Sequence, residues 1–312
     1  MRILVTAIGS MSAECTIKRL KEDGYYVVGC DIYPKEWHLE SKLCDMFYQA
    51  PYTTCEDEYI SFLLKTCSEN HLDALLPLTD LEIDVINRHR DGFVREKIQL
   101  CMQSSQVLSV VRNKFELYSF FRNDELVPTI ETHLATEIPD SFRFPCVAKP
   151  CNGRSSEGLL KNASKEQVLA ITDKGIYIVQ EQLPGKIFTV DYVRSSVSNC
   201  DACVPRQELL RTSNGAGLTI RTCNDPKLIG LVRHIGKSLN INGCVNMEFI
   251  FCRNNYYLID INPRFSAGVA FSEKSGYDMV TNHMRCFTGD EIDSSIAIEE
   301  RIIIKKYEEV FS

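Results

Sequence analysis

Apolar positions along the first hundred residues follow two alternating periods. RILVTAIGS at residues 2 to 10 is a continuous, β-branched-rich run; Ala13, Ile17 and Leu20 then recur at helical spacing; and YYVVGCDI at 25 to 32 returns to an unbroken apolar run. Strand, helix and strand in that order predict a βαβ opening. A helical stretch around 56 to 69 and the buried-strand pattern LDALLPLTD extend it into a small parallel sheet. Asp80, Glu82 and Asp84 follow that strand and read as the solvated first turn of a helix, where acids are favoured.

Beyond residue 100 the pattern changes. VVRNKFELYSFFRNDELVP reads as one helix closed by Pro128, with Lys114 on its early turns. FPCVAKPCNGRSSEG is a short strand that delivers Lys149 into a loop holding Gly153, Ser155, Ser156 and Gly158. Glycine-freed amides, hydroxyls and an ammonium are groups that bind a polyphosphate, and a plain flexible loop would have the same composition. GIYIVQEQLPGKIFTVDYV gives two strands joined across Gln180 to Gly185. Backbone N–H and C=O groups exposed there suit a purine edge, and an ordinary turn at Pro184 and Gly185 is the alternative. AFSEKSGYDMVTNHMRCFTGDEI reads as a helix ending near Gly289.

Two apolar strands, GCVNMEFIF and YYLIDINPRFSAG, carry Glu248, Asp260 and Asn262. A three-residue loop, Arg253 to Asn255, would place Cys252 opposite Tyr256 and Glu248 opposite Asp260, with Asn262 on the same face because side chains alternate. Facing carboxylates repel, and a divalent cation removes the conflict; hard oxygen ligands in that number suit Mg²⁺ or Mn²⁺. A wet sheet face is the alternative. Pro263 stops the strand and leaves Arg264 able to reach a phosphate or carboxylate.

Composition then narrows the partners. The chain has 312 residues, 44% hydrophobic and 25% charged, enough for about two domains. A net charge of −7 argues against nucleic acid or an anionic membrane as a bulk partner. Fourteen cysteines scattered among apolar residues suit buried thiols in a reducing compartment, so a cytoplasmic location is expected. Cys200 and Cys203 form a lone C-x-x-C, a weak metal or redox signal. No apolar run is long enough for a membrane span, and the short apolar start leads into KRLKEDG, which reads as a first strand rather than a leader. IGSMSA holds one glycine where a dinucleotide fingerprint requires three, so a nicotinamide oxidoreductase is a minor alternative.

FPCVAKP, the glycine and serine loop, VQEQLPGKIFTVD, NMEFIF and LIDINPR in that order resemble the ATP-grasp superfamily, over residues ~1 to 290. The texture is nearest to small ligases similar to half of the carbamoyl phosphate synthetase large chain or to the pyrrolysine-pathway ligase. The resemblance implies an α/β ATP-grasp fold, two α+β subdomains gripping ATP, preceded by a small Rossmann-like parallel-sheet domain. The expected divisions are 1–100 for that first domain, 101–185 for the small subdomain and 186–312 for the large one. It further implies that Lys114 and Lys149 bind ATP phosphates under the loop carrying Gly153, Ser155, Ser156 and Gly158. Glu181 and Leu183 would present main-chain groups to adenine. Glu248, Asp260 and Asn262 would hold Mg²⁺ or Mn²⁺, and Arg264 would stabilise the transferred phosphoryl group. Two positions depart from the family pattern: Ile187 stands where relatives place a ribose-binding glutamate, and Asp260 where glutamate is commoner.

The implied activity is an ATP-dependent carboxylate-amine ligase acting through an acyl phosphate on a small carboxylate or amino acid, with a homodimer admitted. Arg206, Arg211 and Arg221 are equal candidates to grip the carboxylate, with Arg211 taken as the working choice. A nucleotide-binding module without turnover is the alternative within the same fold.

Overall fold

The computed structural model describes residues 1–154 and 156–311, with the side chain of residue 174 excepted, so the phosphate-loop position Ser155 lies outside the described residues. The first hundred residues form a five-stranded sheet from β1 (Arg2–Val5), β2 (Tyr26–Asp31), β3 (Met46–Gln49), β4 (Ala74–Leu76) and β5 (Gln99–Leu100), in the order β3-β2-β1-β4-β5. All its pairs are parallel. The helices are α1 (Ala13–Glu22), α2 (Glu56–Glu69), α3 (Asp80–Arg88) and α4 (Arg90–Arg95). Ile3, Leu4 and Val5 are fully buried, as both-face coverage by helices requires. The order reverses between β1 and β4, so the carboxyl ends of β1, β2 and β4 open onto one crevice, the usual ligand position in such sheets.

Two expectations are corrected here. Asp80 and Glu82 are not solvated: they are 2% and 7% exposed and face the crevice. The single helix ending at Pro128 is two, α5 (Ser105–Val111) and α6 (Lys114–Phe121), because the Asn113 side chain accepts hydrogen bonds from the Phe115 and Glu116 amides and starts a new helix. Lys114 is therefore the first residue of α6.

A four-stranded antiparallel sheet follows, from β6 (Thr132–Leu134), β7 (Cys146–Pro150), β8 (Leu160–Ala163) and β9 (Tyr177–Glu181), ordered β6-β9-β7-β8, with α7 (Lys165–Leu169) between β8 and β9. The largest sheet is antiparallel and six-stranded: β10 (Lys186–Arg194), β11 (Asp201–Arg211), β12 (Gly217–Thr222), β13 (Gly243–Cys252), β14 (Asn255–Asn262) and β15 (Ile302–Ile304), ordered β14-β13-β10-β11-β12-β15. Helix α8 (Pro226–Ser238) packs on it through Leu228, Val232 and Ile235. The single helix expected over 270 to 289 is broken at Ser275–Asp278 into α9 (Val269–Lys274) and α10 (Met279–Thr288), where Asp278 caps the second helix; Gly289 ends it in the left-handed conformation. Among the described residues no helix is long and apolar enough to cross a membrane.

Candidate active site

The β13–β14 hairpin sets the site, by a route the sequence reading did not anticipate. Its loop is two residues, Arg253 and Asn254, both at positive φ, and Cys252 pairs with Asn255. That register alone would misalign the acids by one residue. A β-bulge restores it: Phe249 pairs with Leu258, Ile259 is the extra residue, and Glu248 pairs with Asp260, Asn246 with Asn262. The bulge also puts a backbone group to use, since Lys149 Nζ on β7 donates to the Ile259 carbonyl at 3.3 Å.

The cations gather over these acids. Lys114 Nζ lies 3.2 Å from Asp260 Oδ2 and donates to the Gly153 carbonyl at 2.8 Å. Arg211 donates to Glu248 Oε2 at 3.0 Å and to the Gly215 carbonyl at 2.7 Å. Burial pulls the Lys149 ammonium down to about 8, with Asp260 opposing and Lys114 adding to the shift. Ser156 and Gly158 take positive φ in the loop, and a Cβ on Gly158 would come within 2.8 Å of the Tyr177 hydroxyl. A Cβ on Gly215 would stand 3.6 Å from Ser156 Oγ, so the loop touches the turn that carries Arg211.

Two cavities meet here. The smaller, about 410 Å³, is lined by the cations Lys114, Lys149 and Lys161 and by the apolar Leu183, Ile187 and Ile250. Gln180, Glu181, Gln182 and Leu183 also line it. The larger, about 590 Å³, lies between the large sheet and the carboxyl ends of β1, β2 and β4. Six residues line both: Arg154, Arg211, Asn214, Gly215, Glu248 and Asn262.

Of the three arginines left open, Arg221 is exposed on the far face and lines neither cavity. Arg206 is 2% exposed and donates to Asp191 Oδ2 at 2.7 Å, in a buried network with Asn246, Ser266 and Ser272. Burial pushes the Asp191 carboxyl up, but Arg206 outweighs it and holds it below the usual range. Arg211 alone of the three bridges the two cavities. Arg264 does not swing free: Nη2 donates to Asp80 Oδ2 at 2.7 Å, and Arg112 Nη1 lies 3.5 Å from Asp80 Oδ1. Burial would raise the Asp80 carboxyl, yet Arg264 and Arg112 keep it below the carboxylate range. Asp31, the acid a dinucleotide reading would need, accepts from the Gly9 and Tyr33 amides at 2.9 and 3.2 Å.

Sequence reasoning missed Asp80 as a partner of Arg264, and it missed Lys161, Arg154 and Glu208. The available signal for Asp80 was its place just after β4, at the carboxyl edge of a parallel sheet; Lys161 and Arg154 carry no signal apart from proximity in space.

The donor set fits a nucleotide-held Mg²⁺. Two facing carboxylates are present, and Asn262 turns its amide nitrogen to Asn246 Oδ1 at 3.4 Å, leaving its carbonyl oxygen for another partner. Among the described residues no group of three or more His, Cys, Asp or Glu could hold an ion by protein ligands alone. Mg²⁺ commonly takes one or two carboxylates and draws the rest from phosphate and water.

The profile of the ATP-grasp domain family matches residues 111–268, and that of the PylC-like N-terminal domain matches residues 3–101. The carbamoyl phosphate synthase large chain of Thermoplasma acidophilum is 22% identical over 284 residues, 83% of this chain, which spans only 27% of that relative's length. The biotin carboxylase domain dimer of Hydrogenobacter thermophilus 2-oxoglutarate carboxylase, solved with MgADP, ADP and bicarbonate, superposes with a TM-score of 0.80 at 16% identity, over 95% of this chain and 72% of that one. Staphylococcus aureus N5-carboxyaminoimidazole synthetase complexed with ADP gives 0.78 at 14% identity, over 97% and 81%. These likenesses establish a shared fold.

Proposed function

We propose, since the chain belongs to the ATP-grasp family, that it is an ATP-dependent carboxylate-amine ligase whose smaller cavity takes the nucleotide and whose larger cavity takes the substrates. The observation that carries this is the junction: six residues, Arg211 and Glu248 among them, line both cavities, so the terminal phosphate of a nucleotide in one would reach a carboxylate in the other.

The acids and cations of the site pair with each other, Asp260 with Lys114 and Glu248 with Arg211. Phosphate oxygens compete for Lys114, Lys149 and Arg211, which frees Glu248, Asp260 and Asn262 to hold Mg²⁺. When bound, Mg²⁺ would supply charge neutralisation for the phosphoryl group being transferred. Lys149 and Lys114 fix the β and γ phosphates, and the loop over Gly153 and Gly158 excludes water. A substrate carboxylate oxygen then attacks the γ phosphorus, the bond to the β,γ-bridging oxygen breaks, and ADP leaves an acyl phosphate. Arg211 and Arg264 stabilise the charge on the moving phosphoryl group. An amine attacks the acyl carbon, a C–N bond forms, and inorganic phosphate departs as the amine loses a proton. Glu181 and Leu183 position the base, and Ile187 meets the sugar region through packing rather than a carboxylate.

The test is ADP formation with pooled carboxylates and amines. Glu248→Gln and Asp260→Asn should each abolish the Mg²⁺-dependent rate with an unchanged circular dichroism spectrum. Full turnover in both variants would overturn the mechanism, and no ADP from any pool alongside normal ATP binding would leave a nucleotide-binding module instead.

A further inference from the structure

Among the described residues, six buried side-chain polar atoms have no well-formed hydrogen bond: Thr6 Oγ1, His38 Nε2, Asp80 Oδ1, Thr189 Oγ1, Glu208 Oε2 and Arg264 Nε, of which His38 Nε2 stands 3.2 Å from Asp31 Oδ1. All but Thr6 belong to residues that line the larger cavity. Burying such atoms without partners costs free energy, so their concentration around one space points to a molecule that completes them.

Their chemistry is two-sided. Glu208, whose side chain is 3% exposed, uses only Oε1, on Arg206 Nε at 3.4 Å, and presents Oε2 with nothing to accept from. Asp80 Oδ1 has only the 3.5 Å approach of Arg112. Those oxygens need donors. Arg264 Nε needs an acceptor, and Thr189 can serve either way. An ion of a single sign would satisfy one set and repel the other.

The placement orders the two ends. Arg211 pairs with Gly217 across β11 and β12, and a Cβ on Gly217 would collide with Glu208 Oε2. The unpartnered carboxylate therefore lies on the same strand as the arginine at the nucleotide junction, beside that arginine's cross-strand partner. We propose that the larger cavity binds a free amino acid, its carboxylate at Arg211 and Arg264 and its ammonium on Glu208. This rests on the ligase reading and deepens it: the amino acid is the partner whose carboxylate is phosphorylated. A volume of about 590 Å³ exceeds what one amino acid fills and leaves room for the amine that follows.

The experiment uses the unmodified full chain with MgATP, glycine and the other nineteen protein-forming amino acids in both L and D forms, each also as its N-acetyl and methyl ester derivative, and a set of plain monocarboxylates. Binding is read by calorimetry and turnover by ADP release. At least one free amino acid should bind saturably, and both its blocked forms should bind at least tenfold more weakly. Glu208→Gln should raise the KM of that amino acid roughly ten- to hundredfold, the loss of one charged hydrogen bond, while the KM for ATP moves less than twofold. The blocked series on the unmodified chain asks the same question should the variant fold poorly. N-acetyl amino acids or plain monocarboxylates performing as well as free amino acids would overturn the proposal, as would the absence of binding by any free amino acid. Amino-acid binding without ADP release from any pool would uphold this site and sink the ligase reading instead.

Discussion

Asp80→Asn probes the contact that ties the first domain to the end of β14. Asp80 is 2% exposed and lies between two guanidinium groups, bonded to Arg264 at 2.7 Å and 3.5 Å from Arg112. The substitution keeps the shape and removes the charge. Removing one partner from a buried pair costs about 3–5 kcal/mol. Two facts reduce that here: Arg112 retains Asp84 through two bonds, at 2.8 and 2.7 Å, and the Arg264 side chain is 20% exposed. About 2 kcal/mol remains by that reasoning. At roughly 2 °C per kcal/mol for a chain of this size, thermal unfolding followed by circular dichroism should show Tm about 4 °C lower at pH 7. The sign of the pH dependence separates charge from packing. The arginines hold the folded carboxyl below its ordinary range, so its contribution is complete above the unfolded value near ~3.9 and is lost as pH falls through the lower folded value. The gap between native protein and variant should stay constant from pH 7 to 5 and close below about pH 4. A Tm within 1 °C of native at pH 7, or a gap that persists unchanged at low pH, would refute the ion-pair account.

Lys149→Ala should weaken ATP binding in a calorimetric titration about tenfold or more, the worth of a charge-assisted bond to phosphate; an unaltered titration contradicts its role. His283 is 3% exposed, accepts from the Cys244 amide at 2.8 Å and is lowered by burial from 6.5 to about 4. Its depressed value means that the unfolded chain binds the proton first, so stability should fall as pH drops from about 6.5 to 4, by about 3 kcal/mol in all at ~1.4 kcal/mol per unit. His283→Gln should flatten that limb of the urea midpoint against pH, and an equally steep limb in the variant would place the dependence elsewhere. Gly185→Ala should destabilise the chain measurably in the same urea assay, because the added Cβ collides with the Phe251 carbonyl oxygen; an unchanged midpoint would show that β10 can shift to accommodate it.

The parallel sheet of the first domain and the paired acids of the hairpin were legible because burial leaves a strong signature in apolar runs, against which Glu248 and Asp260 stand out. Their alignment was reached through the wrong loop. A turn of two residues and a bulge of one yield the same pairing as a turn of three, and apolar Ile259 carries no mark of being the extra residue. Asp80 went astray for a different reason: acids at a helix start are usually solvated, and this one is met by Arg112 and by Arg264, the latter from 184 positions away. The larger cavity could not be read at all, because its walls come from the segments after β1 and β4, from β2 and from β10 to β14, which sequence spacing does not bring together. Lys114 was placed on a helix that was drawn too long, and its position at a helix start depends on the Asn113 cap.

The last strand of the large sheet runs beside β12 through three pairs, Thr219 with Ile304, Ile220 with Ile303 and Arg221 with Ile302. Shortening the polypeptide to residue 290 would strip β12 of that neighbour and leave a row of amides and carbonyls open. Open borders of this kind recruit other chains. Such a truncated protein should come off a sizing column as soluble aggregates, and the 22 missing residues that caused it would include no group from either cavity lining.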